Sequence, residues 1–396
     1  MKKLRIGILF GGRSGEHEVS LLSAASVLKA IDRRKYEVVP IGITKEGRWV
    51  TSSDAERLLN GESAPSERHL RAGDPAATAS AAVLARGESV IVPPVPSAGT
   101  GSLVPFETDA RALHPSHTAL NLDVIFPVLH GTFGEDGTIQ GLFELAGIAY
   151  IGSGVLGSAA GMDKDVMKRL FATAKLPIPK HVSFLRSEWE AGPKKITTRI
   201  EAALRYPLFV KPANLGSSVG ITKAHNRKEL GPAIDTAASF DRKIVVEQAV
   251  GGIRSKAREL EVSILGNDSP QASVVGEIVP DKEFYDYEAK YLTEGSNLIL
   301  PAKITRAQSR QIQQMAIAAF RACDCSGLAR VDFLMDPGKS QRIYLNEINT
   351  LPGFTSISMY PKLWAASGIG YSDLIDRIIA LALERRAEKD RTNYSR

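Results

Sequence analysis

Arg330-Val331-Asp332-Phe333, followed across a short loop by Glu347-Ile348-Asn349-Thr350-Leu351-Pro352-Gly353, reads as two adjacent strands presenting Asp332, Glu347 and Asn349 on one surface. Side chains two apart on a strand point the same way, which is what brings these three together. Three converging oxygen donors suit hard divalent cations that hold phosphates, since Mg²⁺ favours carboxylate and phosphate oxygen and keeps some of its waters. The bland alternative makes Asp332 a turn cap and Glu347 a solvated strand residue. Other segments of the chain decide between the two.

Upstream lies Val210-Lys211-Pro212-Ala213-Asn214-Leu215-Gly216-Ser217-Ser218-Val219-Gly220. An apolar strand delivers a lysine to a loop of small residues, whose backbone N–H groups approach phosphate oxygens closely, as in an anion-binding nest. It is not a Walker A sequence, and taken alone it is compatible with a surface loop carrying a snorkelling lysine. Lys164, in Met162-Asp163-Lys164, opens a helix whose first turn favours anions. Ile244-Val245-Val246-Glu247-Gln248-Ala249-Val250 reads as a strand ending in an acceptor and exposed backbone, suited to an adenine edge. In Glu259-Leu260-Glu261-Val262, Glu259 offers a carboxylate for ribose hydroxyls and Glu261 is expected to face solvent.

A chain of 396 residues is longer than one hydrophobic core sustains, so two or three domains are expected. With 43% hydrophobic and 24% charged residues, the composition is that of a soluble globular protein. The net charge of +6 comes without an aromatic-interleaved basic stripe, so it reads as anion attraction plus a basic C-terminal tail, not as a nucleic-acid surface. Arg5 interrupts the first apolar run and Gly11-Gly12 end it too early for a signal peptide. No apolar segment approaches bilayer-spanning length. Cys323 and Cys325 read as packed small residues, and a reducing cytoplasm is the expected compartment.

Leu4 to Phe10 reads as a buried strand, His17 to Ile31 as a helix and Glu37 to Ile43 as the return strand of a βαβ unit, whose ligands gather at strand C-terminal ends. Residues 51–116, rich in Ala, Gly, Ser and Pro, read as a non-catalytic insertion with short strands such as Val90 to Val92. Asn121 to His130 resumes the strand pattern, followed by helices over Thr138 to Ala146 and Met162 to Lys175. Alternating strands and helices to about Ala257 suggest a small α/β domain. The last part carries strands 258–266 and 272–279, a helix near Ala307 to Ala322, the acidic strands and a closing helix from Ser372 to Arg385, with a tail expected to fray.

The order of these pieces, a lysine, a second lysine with a glycine-rich loop, an acidic hinge, then Asp and Glu-x-Asn on late strands, resembles the ATP-grasp superfamily and within it the D-alanine-D-alanine ligases. The resemblance covers about residues 4–385 outside the insertion. It extends to Gly11-Gly12-Arg13-Ser14-Gly15-Glu16-His17-Glu18-Val19-Ser20, His130-Gly131-Thr132-Phe133-Gly134-Glu135-Asp136-Gly137 and Phe284-Tyr285-Asp286-Tyr287-Glu288-Ala289-Lys290-Tyr291. It implies an α/β (α+β) ATP-grasp fold with an N-terminal parallel α/β domain. Three domains are expected: 1–161 for substrate, 162–257 as the small central unit, and 258–396 with the metal site and lid.

By that resemblance, Lys164, Lys211 and Lys290 hold ATP phosphates, and Glu247, Gln248, Val250 and Glu259 bind the nucleoside. Asp332, Glu347 and Asn349 hold two Mg²⁺ or Mn²⁺ ions. Glu16 anchors the ammonium of a first D-alanine, with Val19 and His130 lining its pocket. Arg330 and the N–H of Gly353 face the developing oxyanion, with Ser358 and Met359 beside the carboxylate of a second D-alanine. Tyr285 to Tyr291 forms a lid, and Tyr291 and Ser217 link toward Glu16. A homodimer with no membrane or nucleic-acid partner is implied.

Family members that make a D-alanine-D-lactate depsipeptide commonly depart from this lid motif, so by the resemblance the Tyr-Asp-Tyr and Lys-Tyr kept here imply an amine nucleophile over a hydroxyl one, with D-lactate or D-serine ligases as the nearest rivals. Gly251 to Arg258 departs from the family pattern in length and basicity. His17 and His130 lie in motifs, whereas His69, His114, His117, His181 and His225 read as solvated or core residues.

Overall fold

A computed structural model describes residues 2–51, 88–94, 101–105, 120–252, 256–279, 297–355 and 357–394. Strand β1 (Leu4–Gly11) is apolar along its length because both faces are covered, Ile6 and Ile8 meeting one cluster and Leu9 another. Helix α1 (His17–Ala30) crosses over to β2 (Tyr36–Ile43), which pairs in parallel with β1. Then follow β3 (Trp49–Thr51), β4 (Glu88–Ile91), β5 (Gly101–Pro105), β6 (Leu120–Leu122), β7 (Val124–Pro127), α2 (Thr138–Ala146) and β8 (Ala149–Tyr150).

These strands form one sheet in the order β6-β5-β4-β3-β2-β1-β7-β8. The expected parallel sheet is the β2-β1-β7-β8 half. The other half is antiparallel; β4 and β5 lie inside the segment read as an insertion, β4 near the short strand expected at Val90 to Val92, so that segment contributes to the architecture. The β3 pairing follows from its short link to β2, which forbids a parallel crossover. Residues 52–87, 95–100 and 106–119 of that segment lie outside the described residues.

The helix expected over Met162 to Lys175 is α4 (Lys164–Thr173), and a further helix, α3 (Val155–Met162), precedes it. Asp163 divides them: its carboxylate accepts hydrogen bonds from the N–H groups of Asp165 and Val166, an N-cap that starts the second helix. The chain continues through β9 (His181–Leu185), α5 (Arg186–Ala191), α6 (Pro193–Ala203), β10 (Leu208–Pro212), β11 (Thr222–Ala224), α7 (Arg227–Phe240) and β12 (Lys243–Gln248). An antiparallel sheet ordered β11-β10-β12-β9 buries Val210 and Val246 against Ile200 of α6 and Leu230 and Ile234 of α7.

The third sheet takes β13 (Arg258–Gly266), β14 (Gln271–Ala272), β15 (Gly276–Val279) and β16 (Asn297–Ile299), then, after α8 (Arg306–Ala322), β17 (Gly327–Met335) and β18 (Ile343–Asn349). Its order is β16-β15-β13-β17-β18, with β14 paired to β13, so the strand expected over 272–279 is two short ones. Cys323 and Cys325 are free, buried thiols packed between α8 and this sheet.

Helices α9 (Met359–Ala366) and α10 (Tyr371–Asp390) complete the chain. The closing helix outruns the expected stop at Arg385, carried on by an Arg386–Asp390 pair one turn apart. Arg385 itself donates to the Tyr150 carbonyl at 3.1 Å, joining α10 to β8 of the first sheet.

Candidate active site

A cleft of about 660 Å³ lies where the four-stranded and six-stranded sheets meet, closed at one end by loops of the first sheet. That volume is typical of small-ligand sites. Among its lining residues are Glu16, His130, Lys164, Lys211, Ser217, Glu247, Gln248, Val250, Glu259, Arg330, Asp332, Glu347, Asn349, Gly353, Ser358 and Met359.

Its acidic wall is the β17–β18 pair. Asp332 stands opposite Glu347, and Arg330 opposite Asn349. The register then shifts: Phe333 faces Leu345, so Asn346 is an extra residue on β18, a β-bulge. The bulge resets the alternation of β18 and turns Glu347 and Asn349 to the face that carries Asp332. Arg330 Nε and Nη2 each donate to one oxygen of Asp332 at 2.7 Å, and Asn349 Nδ2 donates to the same carboxylate at 3.0 Å. Glu261 lies 3.1 Å from Arg330 Nε. It is buried, contrary to the expected solvent position, because it stands opposite Asp332 across β13–β17.

The opposite wall is basic. Lys211 is the penultimate residue of β10, and its Nζ donates to Glu247 Oε2 at 2.8 Å. Lys164 Nζ donates to the Leu215 carbonyl of the glycine-rich loop at 2.6 Å. One helical turn on, Lys168 is fully buried, with Nζ 2.9 Å from Glu247 Oε1 and donating to the Asn346 carbonyl at 3.1 Å. Both oxygens of Glu247 therefore face lysines. Burial alone would raise its carboxyl, but the charges of Lys168 and Lys211 hold it far below the carboxylate range. Burial pushes the Lys164 and Lys168 ammoniums down. For Lys211 burial is outweighed by Glu247 and Glu347, and its ammonium is held above the usual range.

At the closed end Ser217 Oγ donates to Glu16 Oε1. Ser217 and Ser218 both have positive φ, 47° and 61°, strain that a loop holds only where its surroundings dictate the shape. A Cβ on Gly216 would stand 2.8 Å from Glu16 Oε2, so glycine is what lets the loop close over that carboxylate. His130 is buried with Nε2 3.1 Å from Ser23 Oγ and Nδ1 3.2 Å from the Leu351 carbonyl. Burial lowers its pKa, which favours the neutral ring. Ser358 Oγ accepts from Thr355 N–H at 3.0 Å and lies where a Cβ on Gly353 would come within 2.9 Å. Met359 packs against Ile278 and Leu363, which leaves its backbone as the polar part at the start of α9. Val19 is buried on α1 and is not among the side chains lining the cleft. Lys290 and Tyr291 lie outside the described residues.

Four lining or supporting residues escaped the sequence reading. Glu135 lines the cleft near Glu16, and burial together with the Glu16 charge pushes its carboxyl up to about 8. Lys362 contributes a cation from α9. Lys168 repeats Lys164 at helical spacing, a signal present in the sequence. Glu261 shares the period-two face of Glu259.

The donor set fits divalent cations. Two carboxylates and an amide, all oxygen donors, converge on the cleft wall, leaving coordination positions for phosphate oxygens and water. Lysines across the cleft supply the complementary anion-binding side.

Two sheets clasping such a cleft, with acids on one and lysines on the other, define an ATP-grasp ligase. Family models described as D-ala D-ala ligase N-terminus and D-ala D-ala ligase C-terminus match residues 5–153 and 170–380. The chain is 49% identical to a D-alanine–D-alanine ligase of Natranaerobius thermophilus, covering 99% of this chain and 98% of that one. It is 47% identical to that of Geobacillus thermodenitrificans over 99% of each. Among solved structures, the D-alanine-D-alanine ligase from Coxiella burnetii superposes with a TM-score of 0.77 at 31% identity, over 98% of this chain and 97% of that one. The VanG D-Ala:D-Ser ligase from Enterococcus faecalis gives 0.78 at 35%, over 96% of this chain and 100% of that one. The chain belongs to the D-alanine–D-alanine ligase family.

Proposed function

We propose that this chain uses ATP to join two D-alanines into D-alanyl-D-alanine for peptidoglycan precursor synthesis. The observation that carries the reading is the convergence of Glu16, Arg330, the lysines and the acidic trio on one cleft. ATP transfers its γ-phosphate to the carboxylate of the first D-alanine, giving an acyl phosphate. The amine of the second attacks that carbonyl carbon, loses a proton, and phosphate leaves.

Glu16 receives the first ammonium, a charge-assisted contact, and Ser217 fixes the carboxylate's orientation. Lys164 and Lys211 take up the phosphates. Both side chains donate to oxygen acceptors of the protein, so nucleotide oxygens replace an existing hydrogen bond instead of ordering a free side chain. Glu259, Gln248 and the backbone at Val250 meet the nucleoside. Arg330 and the N–H of Gly353 face the oxyanion of the tetrahedral intermediate, with Ser358 and the Met359 backbone at the second carboxylate. Asp332, Glu347 and Asn349 would hold Mg²⁺ or Mn²⁺, which neutralises charge developing on the transferred phosphoryl group. Lys290 and Tyr291 remain assigned by family resemblance, as do the three-domain division at 161 and 257, the homodimer and the cytoplasmic setting. No helix among the described residues is long and apolar enough to cross a membrane.

The test is direct. Purified protein with D-alanine, ATP and Mg²⁺ releases one phosphate per dipeptide; phosphate release with another acid and none with D-alanine refutes the substrate assignment. VanG supports a second reading in which D-serine is the second substrate. Competition between D-alanine, D-serine and D-lactate over pH 6–9 separates these nucleophiles, since only the amines need deprotonation of an ammonium.

A further inference from the structure

Lys168 touches two strands that the nucleotide cleft depends on, β12 and β18, yet it is not among the residues lining the cleft. It stands on α4, one turn after Lys164 and on the same side of the helix. Its ammonium lies 2.9 Å from Glu247 Oε1 on β12 and donates to the Asn346 carbonyl on β18 at 3.1 Å, with the side chain only 1% exposed. Glu247 Oε2 accepts from Lys211. The side-chain chain Lys211–Glu247–Lys168 therefore runs from the basic wall to the backbone of the acidic strand.

The backbone atom it reaches is informative. Asn346 is the bulged residue of β18, and an extra residue leaves a ladder group to be satisfied elsewhere. Helix α4 supplies partners on both sides of the bulge: Lys168 for the Asn346 carbonyl, and Met167 Sδ, 3.3 Å from the Ile348 N–H. The bulge is what turns Glu347 and Asn349 toward Asp332. A fully buried lysine is costly unless it is paired, and Lys168 has both a carboxylate and a carbonyl to offset that cost. A hydrophobic residue would fill the same space without orienting either wall.

We infer that Lys168 is a positioning residue for nucleotide binding: it holds Glu247, and through it Lys211, in register with the bulge that aims Glu347 and Asn349. The inference rests on the nucleotide-clamp part of the proposed function. It assigns Lys168 no contact with either amino acid.

The experiment is calorimetric titration of the full-length protein with ADP and Mg²⁺, alongside steady-state kinetics, for Lys168→Met, Lys168→Arg, Glu247→Gln and the double variant Lys168→Met/Glu247→Gln. Loss of a hydrogen-bonded charge pair predicts that Lys168→Met weakens ADP on the order of tenfold or more. The KM for ATP rises by a similar factor while the KM for D-alanine stays within about twofold. Lys168→Arg, which keeps the charge, retains more affinity than Lys168→Met. The double variant loses less than the product of the single losses, because both act through one network.

A folded Lys168→Met protein that binds ADP like the wild type overturns the inference, and so does an equal loss for ADP and D-alanine. Should Lys168→Met fail to fold, Glu247→Gln and Lys168→Arg carry the decision: unchanged ADP affinity in Glu247→Gln is the contrary result. Because ADP binding is read without turnover, failure of the D-alanine assignment would appear separately, as wild-type protein that binds ADP and makes no dipeptide.

Discussion

Arg330→Met removes the guanidinium that two acids, Asp332 and Glu261, share. Arg330 makes two 2.7 Å bonds to Asp332 and lies 3.1 Å from Glu261, with side-chain exposures of 19%, 14% and 8% for the three residues. Deleting one member of such a buried cluster costs about 3–5 kcal/mol because the remaining charges lose their counter-ion. Partial solvation of Arg330 places the cost near the low end, about 3 kcal/mol. Asp332 keeps its bond from Asn349, whereas Glu261 loses its ion pair with Arg330.

The chemical step should suffer independently. Loss of one donor to a developing oxyanion lowers kcat by about 10²–10³, and Arg330→Lys, which keeps charge without the planar fork, should fall between. Nucleotide affinity should change far less than kcat. Divalent cation should restore part of the lost stability, since it neutralises the carboxylates that Arg330 neutralised before. The assays are phosphate release under saturating substrates, ADP titration, and denaturant unfolding with and without Mg²⁺. A variant with near-normal kcat would show that Arg330 only braces β17, and a stability deficit indifferent to Mg²⁺ would refute the shared-counter-ion argument.

Lys211→Met should raise the KM for ATP on the order of tenfold or more, by loss of a charge-assisted phosphate contact, with less effect on D-alanine in the same steady-state assay. Gly216→Ala places a methyl 2.8 Å from Glu16 Oε2 and should raise the KM for the first D-alanine while ADP titration stays near wild type. Glu135 has a folded pKa of about 8 against a usual 4.5, so the folded state binds the extra proton. Its contribution is present below about 4.5 and is lost as pH rises through 8; Glu135→Gln should flatten the fall in melting temperature across that window, and a slope identical to wild type would exclude Glu135 as its source.

Local signals carried much of this fold. The apolar run of β1, the helical spacing of α1 and the strand of β2 lie within a few dozen residues, and the glycine-rich loop declares itself by composition. Asn346 does not. A bulge changes the side-chain alternation by one residue, and nothing in Ile343 to Asn349 distinguishes a regular strand from one that shifts register against Phe333. Glu261 was legible and misread: the period-two rule that joined Glu347 to Asn349 also joins Glu259 to Glu261, and both line the cleft. Lys168 looks like any solvated helix lysine, because its burial comes from β12 and β18, which are distant in sequence.

Why the acids and lysines occupy separate walls follows from what each set would do without the other's ligand. Lys168 and Lys211 meet one carboxylate, Glu247, and Lys164 meets the Leu215 carbonyl, while Asp332 and Glu261 meet one guanidinium, Arg330. Each wall keeps an excess of one sign that is only partly neutralised internally, and burial raises the cost of that excess. Were the two sets interleaved, they would neutralise one another across the cleft, and a triphosphate would have to break those pairs in addition to exchanging the Lys211–Glu247 contact. Held apart by two sheets, they favour a ligand that is itself divided, anionic phosphate on one side and bound cation on the other. That division explains why the connection between the walls runs through a buried ammonium and a backbone carbonyl: a neutral acceptor lets Lys168 tie the acidic strand in place without consuming one of its carboxylates.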